Sequence, residues 1–246
     1  RGPACDSPAR HCDRHDGACL LRYEPPSPHR QIFSNPVNFI LMLTTPFDAD
    51  HLRDSVFAVP PLARDADGEV NAVENGKIIR FLEQGGIRSL MYGGNAVFYH
   101  LRLSEYARTL SIISEHASDE TTVVPSIGPA YGLAMDQVDI LREFDFPTAM
   151  VLPARDVGDG QGIASGLRRL AERLGKPLVL YLKFDRWLDA SLIQSLERDG
   201  VISWIKYAVV LDNPAVDPYL SELVDVFPTM LFSKPASRTP ERCCPC

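Results

Sequence analysis

The stretch V-I-S-W-I-K-Y-A-V-V, residues 201–210, places one lysine inside an apolar run. A run so rich in β-branched and aromatic residues predicts a buried strand, typical of a parallel sheet. Lys206 is the exception, because lysines are rarely fully buried and burial lowers their pKa by desolvating the charged form. A lowered pKa provides the free amine that attacks a ketone to form a Schiff base. The alternative is a strand-end lysine that reaches water or pairs with a carboxylate, and the strand alone favours that alternative.

Length and composition are those of an ordinary globular protein. The chain has 246 residues, of which 45% are hydrophobic and 23% charged, and this suits a single α/β barrel domain. The formal charge of −7 argues against nucleic acid or an anionic membrane as a partner. No apolar run is long enough for a membrane span, and the N-terminus has no signal-peptide core. We therefore expect a cytoplasmic protein.

The cysteines lie only at the two ends of the chain, at Cys5, Cys12, Cys19, Cys243, Cys244 and Cys246. Their spacings match no common zinc pattern, so we expect no metal site. Both ends are also rich in Arg, Pro and small polar residues, which cannot build a core. We expect irregular tails at residues 1–35 and 234–246 around a βα barrel domain at residues 36–233. A cloning scar or a shifted reading frame would explain such ends.

Between these tails, predicted strands alternate with predicted helices. Strands are predicted at residues 36–45, 89–92, 121–127, 148–152, 178–182, 201–210 and 228–232, with a long loop at 49–68. Helices are predicted at residues 71–84, 104–117, 133–144, 163–174 and 214–226, with one more that ends at Asp199-Gly200. This alternation predicts βα units and a parallel sheet. Seven strands suit an open sheet slightly better than a barrel, but no glycine-rich phosphate loop supports a dinucleotide-binding fold.

Four motifs near the ends of predicted strands decide between these folds. They are T-T-P-F-D at 44–48 with D-A-D-G-E-V-N at 65–71, G-G-N-A-V-F-Y-H-L at 93–101, L-Y at 180–181 and I-K at 205–206. In order and spacing they resemble the dihydrodipicolinate synthase/N-acetylneuraminate lyase family. That family has a (β/α)8 barrel with its Schiff-base lysine on the sixth strand, which is the place of Lys206 in our count. The resemblance therefore implies a (β/α)8 TIM barrel, here without the eighth unit and the C-terminal helices.

The resemblance also implies a function. It implies a lyase that acts on a 2-oxo acid such as pyruvate, or on a sugar acid, through a Schiff base at Lys206. Thr45, Gly94 and Asn95 would bind the substrate, and no cofactor would be required. The partner would be this small molecule, and a homo-oligomer is compatible with the sequence.

Five residues stand at or just beyond the carboxyl ends of predicted strands: Thr45, Gly94, Pro153, Lys183 and Lys206. This end of the strands carries the active site in βα barrels. We therefore expect the five to lie near one mouth of the barrel, with Lys206 on its inner face.

Much of the family's supporting motif is replaced. Residues 95–97, N-A-V, stand where the family has T-G-E, a segment that holds the substrate carboxylate. Ala154 stands where the family has a tyrosine that relays protons. The lysine is kept without these groups, so we expect weak or altered activity. A non-catalytic barrel and a damaged product without function are the alternatives.

Other residues are candidates to support the lysine. Tyr92, Tyr99 and Tyr181 are candidate replacements for the missing tyrosine, with core packing as the simpler interpretation of each. Lys183 is expected either to lower the Lys206 pKa by like-charge repulsion or to be a solvated loop cation.

Overall fold

The computed structural model describes residues 56–155, 158–213, 215–226 and 232–233. The strands in these ranges are β1 (Phe57–Ala58), β2 (Ser89–Tyr92), β3 (Thr122–Ile127), β4 (Met150–Val151), β5 (Leu178–Leu182), β6 (Ile202–Tyr207) and β7 (Phe232–Ser233). The helices are α1 (Ala72–Gln84), α2 (Leu103–His116), α3 (Tyr131–Leu141), α4 (Gly160–Leu174), α5 (Ala190–Arg198) and α6 (Pro218–Val226), and a 3₁₀ helix spans Phe98–His100. Strands and helices alternate along the chain, as the sequence predicts.

The sheet is parallel, and each strand pairs with the next one in the sequence. The strand order is β1-β2-β3-β4-β5-β6-β7, with no reversal of direction through the sheet. An open doubly wound sheet would instead change direction at a switch point, whereas a βα barrel keeps this sequential order. The described ranges thus contain seven strands of a (β/α)8 barrel, and the predicted fold class is confirmed.

A contact between distant strands shows that the sheet curls. Phe57 on β1 and Trp204 on β6 are five strands apart in the sheet order, yet their ring centroids lie 5.1 Å from each other. Side chains on such distant strands can meet only across the concave face of a curved sheet. Trp204 is fully buried there. The side of β6 that carries Trp204 is therefore the barrel interior.

The helices cover the convex face of the sheet with apolar side chains. In α4, the buried residues recur every three or four positions and are Ala164, Leu167, Leu170, Ala171 and Leu174. Truncating one such buried leucine typically costs about 2–5 kcal/mol. The ion pair between Arg168 of α4 and Asp199 is exposed, and such pairs contribute about 0–1 kcal/mol. The apolar face, and not the surface charge, therefore holds α4 on the sheet.

Local capping fixes where the helices begin and end. Asn71 Oδ1 accepts a hydrogen bond of 3.0 Å from the Glu74 N–H and starts α1. Asp159 Oδ1 likewise accepts from the Gly162 N–H, so α4 begins at Gly160 and not at the predicted residue 163. Gly175 follows α4 with φ +72°, a left-handed conformation that glycine adopts without strain.

The prediction of one long loop at residues 49–68 is wrong, because β1 lies inside it. Phe57 and Ala58 pair with Ser89 and Leu90 of β2. A two-residue strand followed by Pro60-Pro61 shows no alternation in the sequence, so periodicity could not reveal it. The predicted strand at residues 36–45 and both predicted tails lie outside the described residues and stay predictions. Lys206 is on the sixth strand of those described.

Candidate active site

Lys206 faces the barrel interior near the carboxyl end of β6. The next residue, Tyr207, points outward: its ring centroid is 6.1 Å from that of Tyr219 on α6, and its hydroxyl donates to Asp217. Neighbouring residues of a strand point to opposite faces, so Lys206 shares the inner face with Trp204. This is the orientation that a lysine needs in order to reach a ligand in the mouth.

Lys206 lies against the aromatic ring of Tyr181. The two residues pair across β5 and β6, and Lys206 Nζ is over the Tyr181 ring at 4.6 Å from its centroid. Such a cation–π contact contributes about 0.5–2 kcal/mol, more when it is shielded from water. Tyr181 is buried, and burial raises the pKa of its phenol. The ring is therefore a neutral platform that holds the lysine in place.

The pKa of Lys206 is lowered from its ordinary 10.5 to about 8. Burial is the larger cause, and the positive charge of Lys183 is the second. A pKa of about 8 leaves roughly one lysine in ten uncharged at neutral pH, whereas 10.5 leaves roughly one in three thousand. No ion pair joins Lys206 to a carboxylate among the described residues. The structure thus favours a weakly basic amine over the paired strand-end lysine that the isolated strand suggested.

Lys183 follows β5 directly and brings a second cation to the mouth. Its Nζ is 5.3 Å from the centroid of Tyr99 and 5.9 Å from that of Phe184. Arg155 lies over the same Phe184 ring, with its guanidinium carbon 4.3 Å from the centroid. Lys183 and Arg155 are exposed. The predicted effect of Lys183 on the Lys206 pKa is present, and the cations together suit an anionic ligand.

Tyr99 has a buried hydroxyl that lacks a hydrogen-bond partner among the described residues. Burial, followed by the neighbouring Tyr181, raises its pKa to about 12, so the phenol keeps its proton at neutral pH. Tyr99 and Lys206 share two neighbours, Tyr181 and Lys183. Leaving a buried hydroxyl unpaired typically costs about 1–3 kcal/mol, and the Tyr92 hydroxyl is buried in the same way.

Gly93 follows β2 at a place where a side chain would meet its neighbours. A Cβ on Gly93 would lie 2.6 Å from Met150 Cε and 3.2 Å from Ser126 Oγ. Met150 and Ser126 are both fully buried. An added methyl would have to displace the end of the buried Met150 side chain, so glycine is favoured here.

Gly94 and Asn95, two of the predicted substrate-binding residues, are exposed in that turn. Asn95 Nδ2 donates to the Val59 carbonyl at 3.2 Å, which ties the turn to the end of β1. Val97 has φ +58° and ψ 30°, a left-handed conformation that costs a β-branched residue about 1–3 kcal/mol. Its N–H donates to the Gly94 carbonyl. Within the described residues, the N–H groups of Asn95 and Ala96 have no hydrogen-bond acceptor; Asn95 is exposed, whereas Ala96 is buried.

The loop after β4 lacks the tyrosine of the family motif. Ala154 is partly buried there, and its carbonyl accepts a hydrogen bond of 2.9 Å from Trp187 Nε1. Ala154 lines a cavity of about 390 Å³ together with Arg155, Phe184 and Trp187. The indole therefore covers the region around Ala154, and the cavity beside it is bordered by a cation.

The structure places most residues that the sequence singles out at the same end of the sheet. Gly94, Pro153, Lys183 and Lys206 all stand at the carboxyl ends of their strands, while Thr45 lies outside the described residues. Sequence reasoning named Tyr99 and Lys183 as candidates but missed that they stack with Phe184 and Arg155. The sequence indicated this group only in that each of the four residues follows the end of a strand.

No cluster of metal-binding side chains is found in the described ranges, and all six cysteines lie outside them. Nor is any helix there long and apolar enough to cross a membrane.

Several solved structures are similar to this chain in fold. One is YagE from E. coli K12, a prophage protein of the dihydrodipicolinic acid synthase family that was solved in complex with pyruvate. Its TM-score is 0.63 and its sequence identity is 17%, and the match covers 73% of this chain and 63% of YagE. The fold of this chain is that of the dihydrodipicolinate synthase family. The N-acetylneuraminate lyase of Fusobacterium nucleatum matches with TM-score 0.61 and 17% identity, over 74% and 63% of the two chains. The Sulfolobus 2-keto-3-deoxygluconate aldolase, solved with D-KDPG, matches with TM-score 0.59 and 15% identity, over 73% and 60%.

These similarities concern the three-dimensional structure. No protein-family model and no curated protein sequence matches the chain. The chain spans between 60% and 63% of the length of the three solved proteins. The resemblance first found in the strand-end motifs is therefore confirmed at the level of the fold.

Proposed function

We propose that Lys206 forms a Schiff base with a 2-oxo acid, pyruvate in the simplest case. This would be the first step of an aldolase-type lyase reaction or of the related dehydration of a sugar acid. The observation that carries the proposal is the position of Lys206: an interior-facing lysine at the barrel mouth with a pKa of about 8. Structurally similar proteins solved with pyruvate and with D-KDPG support the choice of substrate class.

The neighbouring groups suit the carboxylate of such a substrate. The Asn95 N–H, which has no acceptor among the described residues, lies in the exposed turn after β2, where the family motif holds the carboxylate. Lys183 and Arg155 add positive charge at the same mouth. Thr45 is also proposed to bind substrate, on the strength of the sequence motif alone. A carboxylate held by these groups would present its adjacent ketone to Lys206, and such positioning is a large part of catalysis.

We expect the activity to be weak. Proton transfer by a positioned side chain typically contributes 10²–10⁴-fold, and Ala154 removes the tyrosine that supplies it in the family. The turn at residues 95–97 differs too, because the Val97 N–H is used within the turn and Asn95 is tied to Val59. These two changes favour the second candidate function, a barrel that binds a ligand without catalysis.

Borohydride trapping tests the proposal. The full chain is incubated with pyruvate or with a longer 2-oxo acid, reduced with borohydride and analysed by peptide mass spectrometry. We expect a reduced-imine adduct on Lys206 that is absent from Lys206→Met. Lys77→Met is the matched control, because Lys77 is an exposed lysine paired with Glu74, and it should keep the adduct. If a sample that is folded by circular dichroism gives no adduct, the proposal is refuted and the non-catalytic barrel is the better explanation.

Four other sequence-based expectations remain predictions: a cytoplasmic location, a small-molecule partner, independence from cofactors, and assembly as a homo-oligomer. Sedimentation of the purified chain would test the last of them.

A further inference from the structure

The tyrosines around the mouth differ in what their hydroxyl groups can do. Phe98 packs into the core between Tyr92 and Tyr106, with ring centroids 6.1 and 6.2 Å away. The next residue, Tyr99, has its ring beside Lys183 and against Gly94, whose added Cβ would lie 4.0 Å from Tyr99 Cε2. Tyr92 is therefore part of the core, whereas Tyr99 belongs to the mouth.

Tyr181 is close to Lys206 but poorly placed for exchange of a proton with it. Lys206 Nζ lies over the face of the Tyr181 ring, and a cation in that position contacts the π system and not the hydroxyl at the ring edge. Tyr99 is the other phenol in this group, and its hydroxyl is buried without a hydrogen-bond partner among the described residues. A substrate that displaced the groups covering this hydroxyl would supply the missing partner.

We infer that Tyr99 is the proton relay of this site, in the role of the tyrosine that Ala154 replaces. The inference rests on the proposed function, because it assigns a role within Schiff-base formation at Lys206. It gives the unpaired hydroxyl a function and supplies a phenol to a site that has none after β4. The raised Tyr99 pKa, about 12, supports the inference because it keeps the phenol protonated and able to donate.

The chemical step is the formation of an imine from an amine and a ketone. The lone pair of neutral Lys206 forms a bond to C2 of the 2-oxo acid, and the carbonyl π electrons move to the oxygen, which takes the proton of Tyr99 Oη. The resulting phenolate removes a proton from the new ammonium nitrogen and passes it to the carbinolamine hydroxyl. That hydroxyl leaves as water while the nitrogen lone pair forms the C=N bond, and the remaining positive charge is on the imine nitrogen. A proton from solvent then restores the Tyr99 hydroxyl. The net reaction converts the amine, the ketone and one proton into a protonated imine and water.

The rate of adduct formation tests this inference. The full chain is mixed with pyruvate, quenched with borohydride at successive times, and the Lys206 adduct is measured by mass. In Tyr99→Phe we expect the rate to fall about 100-fold, while the adduct level after long incubation stays close to that of the unsubstituted chain. Tyr92→Phe is the matched control, because it also removes a buried hydroxyl without a partner among the described residues, and it should leave the rate unchanged.

Chemical rescue separates a relay from a structural role. Small buffer acids should accelerate adduct formation in Tyr99→Phe in proportion to their concentration, and should have little effect on the unsubstituted chain. Tyr181→Phe is a second variant, expected to slow the reaction less than Tyr99→Phe.

The possible outcomes distinguish the inference from the proposed function. Equal rates in Tyr99→Phe and the unsubstituted chain, or a loss seen only in Tyr181→Phe, would overturn the relay inference and leave the Schiff base in place. A slow Tyr99→Phe without rescue by buffer acids would also overturn it, since the phenol would then act only through packing. Absence of any adduct in the unsubstituted folded chain would refute the proposed function, and the relay inference would fall with it.

Discussion

Replacing Lys206 with methionine should stabilise the protein at neutral pH. Methionine has a similar length and no charge, so Lys206→Met removes the need to desolvate an ammonium group in the barrel. In the folded protein this ammonium has a pKa of about 8 instead of the ordinary 10.5. The charged lysine thus lowers the free energy of unfolding, and an uncharged side chain does not.

The pKa difference gives the size of the effect. At about 1.4 kcal/mol for each tenfold change in an equilibrium constant, it corresponds to roughly 3 kcal/mol at pH 7. Methionine also loses the cation–π contact with Tyr181, which is about 1 kcal/mol. We therefore expect Lys206→Met to raise the free energy of unfolding by about 2 kcal/mol at pH 7.

The effect must also depend on pH. The unfolded chain binds more protons than the folded one between about pH 8 and pH 10.5, so the stability of the unsubstituted protein rises through that window. The penalty is complete below about pH 8 and disappears above about pH 10.5, and the advantage of Lys206→Met should disappear with it.

Urea unfolding at about pH 7 and pH 10 measures both quantities. Lys77→Met is the control, because Lys77 is exposed and pairs only with Glu74 at the surface. We expect this control to change stability by less than about 0.5 kcal/mol. A Lys206→Met protein that is less stable at pH 7, or whose advantage is the same at both pH values, would refute the reasoning.

Three further predictions concern the same mouth. The rate of Lys206 adduct formation should rise with pH up to about pH 8, and Lys183→Met should move this profile to higher pH because it removes the repulsion that lowers the Lys206 pKa; rates measured from about pH 6 to pH 10 check this, and a shift to lower pH would contradict it. Gly93→Ala should destabilise the fold by about 1–3 kcal/mol, because the new methyl would meet Met150, whereas Gly132→Ala in α3, where a Cβ meets nothing within 4 Å, should be neutral or slightly stabilising in the same urea titration. Val97→Gly should stabilise by about 1 kcal/mol by relieving the left-handed strain, while Val73→Gly in the first turn of α1 should destabilise by roughly a few tenths of a kcal/mol; equal signs for these two valines would count against the strain.

The sequence determined the order of elements and the strand of the candidate nucleophile. Apolar runs and helical spacing reveal local structure because they repeat along the chain, and so six of the seven described strands fell in or beside predicted ones. Sequential βα units with motifs at the strand ends then favoured the barrel, and Lys206 was found because one lysine interrupts an apolar strand. β1 was missed, since a two-residue strand just before Pro60-Pro61 is too short to show an alternation of apolar and polar residues.

The tertiary structure decided which side chains meet at the mouth and in what charge state. The approach of Tyr181 to Lys206 depends on the register between β5 and β6, and the effect of Lys183 on the Lys206 pKa depends on a distance across strands. Tyr92, Tyr99 and Tyr181 were equivalent candidates in the sequence, because periodicity does not determine the position of a tyrosine hydroxyl or its hydrogen-bond partner. In the fold Tyr92 is core, Tyr181 supports the lysine, and Tyr99 retains an unpaired hydroxyl at the mouth. Burial and contact between residues far apart in the chain set these differences, and only the folded barrel defines them.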